Sequence, residues 1–200
     1  MSVRAVIVAA GGANYGSLVE ACRRIGVVPD VSDDSARIRS ATHVILPGVG
    51  AAAQAMGTLR ARGLDRVLRD LRQPLLGVCL GMQLLYERSA EGDVEGLGLL
   101  RGCVRRLPPA PRWPHMGWNT LQPRDTGHPL LRDIGRDDWF YFVHGYAAAD
   151  AADTLATAEH GAPFAAIVAR GNVHGTQFHP EKSAAAGRRL LANFFARAPS

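Results

Sequence analysis

The segment that most constrains this chain is Leu75–Val78, a short buried run that passes through Gly77-Val78-Cys79-Leu80-Gly81 straight into a helical pattern. The glycines, in a G-x-C-x-G arrangement, remove side chains where a strand and the following helix must approach closely. This is the cysteine counterpart of the G-x-S-x-G nucleophile turn. The residues before it supply the sheet and helices such a turn requires. Val3–Ala9 reads as a strand and Ser17–Ile25 as a helix closed by Gly26. His43–Leu46 reads as a buried strand and about Ala52 to Leu71 as an Ala-rich helix. Leu75–Val78 is again a strand and Gly81–Arg88 a helix. Strands separated by helices indicate βαβ units and a parallel sheet.

The second half changes character. Cys103–Leu107, Trp139–Val143, Phe164–Ala169 and Asn172–Phe178 are strand-like and close together, as in a mixed sheet, and a helix of about Ala184–Ala196 follows. The Pro-rich segment Leu107–Pro114 is short enough to be an extended surface loop inside one domain rather than a linker. The expectation is one α/β domain over residues 1–200, with an open, mixed but mostly parallel sheet flanked by helices.

Composition narrows the classes. Two hundred residues with 47% apolar and 20% charged side chains can bury a useful core, which excludes a disordered chain and a disulfide-stapled miniprotein. No window gives the roughly 18 uninterrupted apolar residues of a membrane span. The apolar run near Met1 is short for a secretory signal and reads better as a strand. The net charge is +5, yet Lys182 is the only lysine among 23 basic residues, and the arginines never gather beyond pairs such as Arg23-Arg24. This looks like the bias of a GC-rich coding sequence, not a nucleic-acid-binding stripe. Cys22, Cys79 and Cys103 are an odd number without C-x-x-C spacing, which points to reduced thiols in a cytoplasmic setting. No metal cluster or cofactor is expected: Gly11-Gly12-Ala13-Asn14-Tyr15-Gly16 lacks both the Lys-Ser/Thr of a phosphate loop and G-x-G-x-x-G spacing.

The chemistry centres on Cys79. A turn of this kind places the thiol at a helix N-terminus, where the dipole favours the reactive thiolate, and leaves the Leu80 N–H facing a developing oxyanion. Burial as a structural residue is the commonest fate of a cysteine, but it does not explain the flanking glycines; Cys22 and Cys103 lack them and read as core or surface residues. A thiol nucleophile needs a base, and the base an orienting group. His179, in Gln177-Phe178-His179-Pro180-Glu181, follows a strand and is held extended by Pro180. Residues i and i+2 of an extended chain point the same way, so Glu181 can reach the His179 ring. The pattern alone also allows an ordinary turn histidine.

Gly77–Gln83 together with His179-Pro180-Glu181 resembles the triad-type, class I glutamine amidotransferases, whose sheets are flavodoxin-like. Pro47-Gly48-Val49-Gly50, Pro114-His115-Met116-Gly117-Trp118-Asn119 and Tyr141-Phe142-Val143-His144 resemble the branch of that family which supplies ammonia for imidazole glycerol phosphate synthesis in histidine biosynthesis. The matches run in family order from about residue 44 to 190.

The resemblance implies that Cys79 attacks the side-chain amide of L-glutamine, that His179 shuttles the proton and that Glu181 orients its ring. It implies an oxyanion hole from backbone near Val49, Gly50 and Leu80, with a peptide reorientation at Gly48–Gly50. Gln83 and Glu91 would contact the α-amino and α-carboxyl ends of glutamine, against bland readings as a solvated helix face and a loop carboxylate. The partner implied is a (β/α)₈-barrel cyclase subunit, met by Asn14, by Trp118 on a Gly-flanked loop and by Lys182. His144 reads as core packing at least as well as a substrate contact. The chain departs from the family at Ala9-Ala10-Gly11-Gly12, at Ala51-Ala52 and at Gly145, none of them in the triad. The alternatives are the glutaminase of another ammonia-dependent synthase, a stress-type cysteine hydrolase, and a catalytically silent scaffold that binds a barrel partner.

Overall fold

Ala5–Val8, His43–Gly48 and Leu75–Cys79 are buried at every position. Strands without a polar face belong in the interior of a sheet covered on both sides. The computed structural model, which describes residues 3–11, 15–110, 112–124 and 127–197, places them there. In chain order the elements are β1 (Ala5–Val8), α1 (Tyr15–Arg23), β2 (Asp30–Ser32), α2 (Ser35–Ser40), β3 (His43–Gly48), α3 (Ala52–Ala61), α4 (Leu64–Arg69), β4 (Leu75–Cys79) and α5 (Leu80–Leu84). Then come β5 (Tyr86–Ser89), β6 (Val94–Glu95), β7 (Leu100–Arg106), β8 (His115–Thr120), β9 (Gln122–Pro123), β10 (Trp139–His144) and β11 (Tyr146–Ala148). β12 (Thr154–Glu159), β13 (Pro163–Arg170), β14 (Val173–Thr176) and α6 (Ala184–Phe195) complete the series, with 3-10 turns at Pro129–Leu131 and Pro180–Lys182.

The main sheet has the order β2-β1-β3-β4-β14-β13-β12-β9. Pairing is parallel from β2 to β14 and antiparallel beyond it. Successive side chains alternate between its faces. Ile7, Ile45 and Leu76 pack on one side with α1 and α6 residues such as Leu18, Leu190 and Phe194. Val6, Val8, Val44, Leu46 and Leu75 pack on the other with Met56, Leu59, Leu64 and Leu68. Each such fully buried side chain contributes about 1.5–3 kcal/mol of transfer free energy. In α6, Ala186, Leu190, Leu191 and Phe194 recur at helical spacing on the buried face.

Several expectations from sequence are corrected. The helix drawn over Ala52–Leu71 is two helices, because Gly63 is left-handed at φ 67° and ends the first. The helix drawn over Gly81–Arg88 stops at Leu84. Tyr86–Ser89 is buried at its ends and exposed in the middle, and it pairs with β7 as a strand. The strands at Cys103 and Trp139 are not in the main sheet. β7 belongs to a four-stranded sheet of order β11-β7-β5-β6, and β10 forms a two-stranded ribbon with β8. Trp118 therefore lies on β8, not on a loop.

Candidate active site

Cys79 ends β4 with φ 54° and ψ −112°, a conformation that costs a non-glycine residue on the order of 1–3 kcal/mol and persists only where the surroundings impose it. They do so through the two flanking glycines. A Cβ on Gly81 would lie 1.8 Å from the Leu46 carbonyl oxygen, and one on Gly77 would lie 2.7 Å from Gly81 O and the Met82 backbone. Helix α5 is thus pressed directly onto β3 and β4, and the thiol stands at the strand end with the Leu80 N–H next to it.

The base arrives from the neighbouring strand. β14 runs parallel to β4 in the register Gly175 to Gly77 and Thr176 to Val78, so the residues after Thr176 leave the sheet beside Cys79. His179 is extended, and its N–H donates to Tyr141 O at 2.9 Å. Its ring Nδ1–H donates to Glu181 Oε1 at 2.8 Å, with both side chains less than a tenth exposed. Burial by itself would lower the His179 pKa. Hydrogen bonds to the Cys79 thiol and to Glu181, with the charges of both, outweigh it and push the ring up to about 10. The site therefore favours an imidazolium between two acidic groups.

A cavity of about 220 Å³ opens over these groups. Val49, Gly50, Cys79, Leu80, Gln83, Glu91, His144, Gly145, Tyr146 and His179 are among the residues that line it. Among the described residues, those lining a larger cleft of about 430 Å³, Pro129, Arg132, Asn193, Ala196 and Arg197, include no nucleophile or base. Among the described residues no group of three or more His, Cys, Asp or Glu is placed to hold a metal ion.

The structure thus brings eight of the sequence-derived candidates to one place: Cys79, His179, Glu181, Val49, Gly50, Leu80, Gln83 and Glu91. Gln83 is not a solvated helix residue. It is buried, and its Nε2 donates to Tyr146 O at 2.8 Å and to Gln177 Oε1 at 3.0 Å. Glu91 accepts from Ala52 N at 3.0 Å and so satisfies a donor at the start of α3. Trp118 and Lys182 flank the half-buried ring of Tyr141, at 5.9 Å between ring centroids and 5.8 Å from Nζ to the ring. Asn14 falls outside the described residues.

Two supporting residues escaped the sequence reading. Gln177, fully buried, donates from Nε2 to Cys79 Sγ at 3.9 Å. Ser183, fully buried, accepts from Tyr141 N at 3.0 Å and donates to His179 O at 2.7 Å. Each is next to or within two residues of the His-Pro-Glu segment, and that adjacency was the available signal.

A parallel sheet with a cysteine elbow at the carboxyl end of an inner strand, paired with a His-Glu couple from the next strand, defines a class of protein. The family described as glutamine amidotransferase class-I matches residues 7–198, and the chain belongs to it. Narrower likeness comes from the imidazole glycerol phosphate synthase subunit HisH of Xanthomonas axonopodis pv. citri, 54% identical over 191 residues and covering 94% of both chains. The same subunit of Xylella fastidiosa (strain Temecula1) is 50% identical over 190 residues, again with 94% of each chain covered. Among solved structures, the glutaminase domain of CTPS from Trypanosoma brucei superposes with a TM-score of 0.69 over 98% of this chain and 94% of its own. At 16% identity it shows a shared fold.

Proposed function

We propose that this chain is the glutaminase subunit of an imidazole glycerol phosphate synthase, releasing ammonia from L-glutamine for a (β/α)₈-barrel cyclase in histidine biosynthesis. The observation that carries the reading is the cavity shared by Cys79, His179 and Gln83, backed by Glu181, in a chain about half identical to HisH subunits. In this mechanism Cys79 Sγ attacks the side-chain amide carbon. The oxyanion that forms is held by the Leu80 N–H and by backbone at Val49–Gly50. His179 gives its proton to the amide nitrogen, the C–N bond breaks, and ammonia leaves a glutamyl thioester. His179, now neutral, takes a proton from water as it attacks the thioester; the C–S bond then breaks, releasing glutamate and restoring the Cys79 thiolate beside the His179 imidazolium. Glu181 keeps the ring oriented and stabilises its charged form throughout.

The partner surface follows from the β8–β10 ribbon. Its inner side chains, His115, Phe140, Phe142 and His144, are buried, while Met116, Trp118 and Trp139 are 61%, 50% and 56% exposed. A contiguous exposed apolar face of this kind marks an interaction site, and aromatic residues make effective anchors. The cyclase is assigned to this face, with Lys182 at its edge. Among the described residues no helix is long and apolar enough to cross a membrane; a cytoplasmic setting agrees with three free cysteines.

The test is glutamate release from L-glutamine with and without the same organism's cyclase carrying its nucleotide, with Cys79→Ala as control. A large rise with the loaded partner, lost in the variant, supports the proposal. High activity without the partner points to another amidotransferase, and a stable complex without hydrolysis points to a silent scaffold.

A further inference from the structure

His144 lines the cavity but has no part in the chemistry above, and its hydrogen bonds define what it can do. Its Nδ1 lies 2.9 Å from Tyr146 O. A carbonyl only accepts, so Nδ1 carries the hydrogen and Nε2 of the neutral ring is an acceptor. The partner of Nε2 is His115 Nδ1, at 3.1 Å on the opposite strand of the ribbon, which must then be the donor. That makes His115 Nε2 an acceptor, and Asn119 Nδ2 faces it at 3.4 Å. The Asn119 amide is fixed independently, since Nδ2 donates to Glu159 O at 2.8 Å and Oδ1 accepts from Thr120 N at 2.8 Å. Backbone groups at both ends thus set the same direction, and every tautomer follows.

The surroundings agree. His115 lies between the faces of Phe142 and His160, with ring centroids at 4.8 and 4.2 Å. Burial, with the other histidines nearby, lowers His115 to about 4 and His144 to about 3. Both rings are neutral, and neither nitrogen of His144 is free for a ligand.

The Tyr146 carbonyl also accepts from Gln83 Nε2, whose second hydrogen goes to Gln177 Oε1. Both amide hydrogens of Gln83 are spent, which leaves Oε1 as the group it offers the cavity. An oxygen there accepts from an ammonium and repels a carboxylate.

We propose that Asn119, His115 and His144 form a neutral, one-directional hydrogen-bond chain that fixes the Tyr146 carbonyl and, through it, turns the Gln83 oxygen toward the α-ammonium of the bound amino acid. His144 is a positioning residue, not an acid or base. The identity of the ligand rests on the glutaminase reading above.

The test uses the complex with the cyclase and four enzymes: wild type, His144→Phe, His144→Asn and His115→Leu. Asparagine can place an N–H near the position of Nδ1, whereas phenylalanine keeps only the ring. The readouts are kcat and KM for L-glutamine and the inhibition constant of glutaramate, which is glutamine without its α-amino group. A hydrogen bond to a charged group corresponds to about a tenfold change or more. His144→Phe and His115→Leu are expected to raise KM for glutamine about tenfold, with kcat within about threefold and glutaramate affinity within about twofold. His144→Asn is expected to restore most of the loss in KM. A kcat lost in both His144 variants at unchanged KM overturns the proposal in favour of acid–base catalysis. Equal losses for glutamine and glutaramate overturn it in favour of general packing damage. If the wild type does not hydrolyse glutamine at all, the glutaminase reading fails, and ¹⁵N spectra of the histidine rings still decide the chain. Nδ1–H on both His115 and His144 supports it, and Nε2–H on either overturns it.

Discussion

Moderate acidification is expected to destabilise this protein steeply, and His174 allows the cause to be isolated. His174 is fully buried on β14, and among the described residues neither ring nitrogen makes a well-formed hydrogen bond, the nearby backbone at Leu75 and Asn172 offsetting its burial only in part. Burial, with the charges of Arg197 and His128, lowers it to about 3; His144 and His115 are lowered to about 3 and about 4, and burial lowers His43 as well. Between these values and the unfolded value of about 6.5 the unfolded chain binds protons that the native chain refuses, so stability falls as pH falls. At pH 5 the solution is about 1.5 units below the unfolded pKa, which costs about 2 kcal/mol for each of His174, His144 and His115 and about 6 kcal/mol for those three together. A domain of this kind has on the order of 5–15 kcal/mol in total. His179 moves the other way but adds little, because its stabilising contribution is already almost complete at pH 7.

The perturbation is His174→Phe, which keeps a flat ring beside Phe194, now 6.0 Å away between centroids, and removes the titration. The assay is urea unfolding followed by circular dichroism at pH 7, 6 and 5. The variant should lose about 2 kcal/mol less than the wild type between pH 7 and 5. How well the larger ring fits shifts the absolute values, not this difference. Parallel curves for the two proteins would refute the reasoning, since His174 would then accept its proton in the native state.

Glu181→Gln should lower kcat about 100-fold or more by removing the charge that orients and stabilises the His179 imidazolium, measured by glutamate release in the complex. The same variant should flatten the alkaline side of the stability curve: the raised His179 contributes stability that is full below about 6.5 and lost as pH rises through about 10, and melting temperatures at pH 7 and 10 would show it. Gly81→Ala forces a Cβ to within 1.8 Å of Leu46 O and should cost about 3 kcal/mol or more or prevent folding, read from soluble yield and urea midpoint. Trp118→Ala should weaken binding of the proposed cyclase partner by about 2 kcal/mol in calorimetric titration while leaving the isolated chain's urea midpoint unchanged, because half of the ring is already exposed.

What was legible from sequence were features whose cause is local. The runs at Ala5–Val8, His43–Gly48 and Leu75–Cys79 are apolar at nearly every position because both sheet faces are covered, and the glycines at 77 and 81 declare the tight turn. Phe178-His179-Pro180-Glu181 carries its geometry in the chain, since Pro180 keeps His179 extended. What depended on distant partners was not visible. Tyr86–Ser89 continues a helical pattern on paper but finds a strand partner in β7. His115–Thr120 looked like a glycine-flanked loop, and only its six-residue pairing with β10 makes it a strand. The orientation of the Gln83 amide was hidden for the same reason: it is bonded to Tyr146, 63 positions away, and to Gln177, 94 positions away.

The β8–β10 ribbon would let the proposed docking face and the candidate reactive centre share one small domain. Tyr141 turns its side chain outward between Trp118 and Lys182, while its backbone N–H and C=O point inward to Ser183 and to the His179 N–H. Its neighbour Phe142 turns the other way, into the core against Phe178 and His115. Strand alternation therefore sends adjacent residues to opposite faces: one belongs to the proposed partner face, and the next anchors the layer beneath His179. A partner pressing on the outer face acts on the same backbone that holds His179 at the end of β14. One residue further along, Val143 O lies 3.8 Å from Cys79 Sγ, so the ribbon reaches both the base and the nucleophile without crossing the main sheet. Coupling between partner and chemistry in this fold is therefore expected to reach His179 and Cys79 through the ribbon and the loop from His179 to Ser183, beside the expected reorientation of the Gly48–Gly50 peptide at the end of β3.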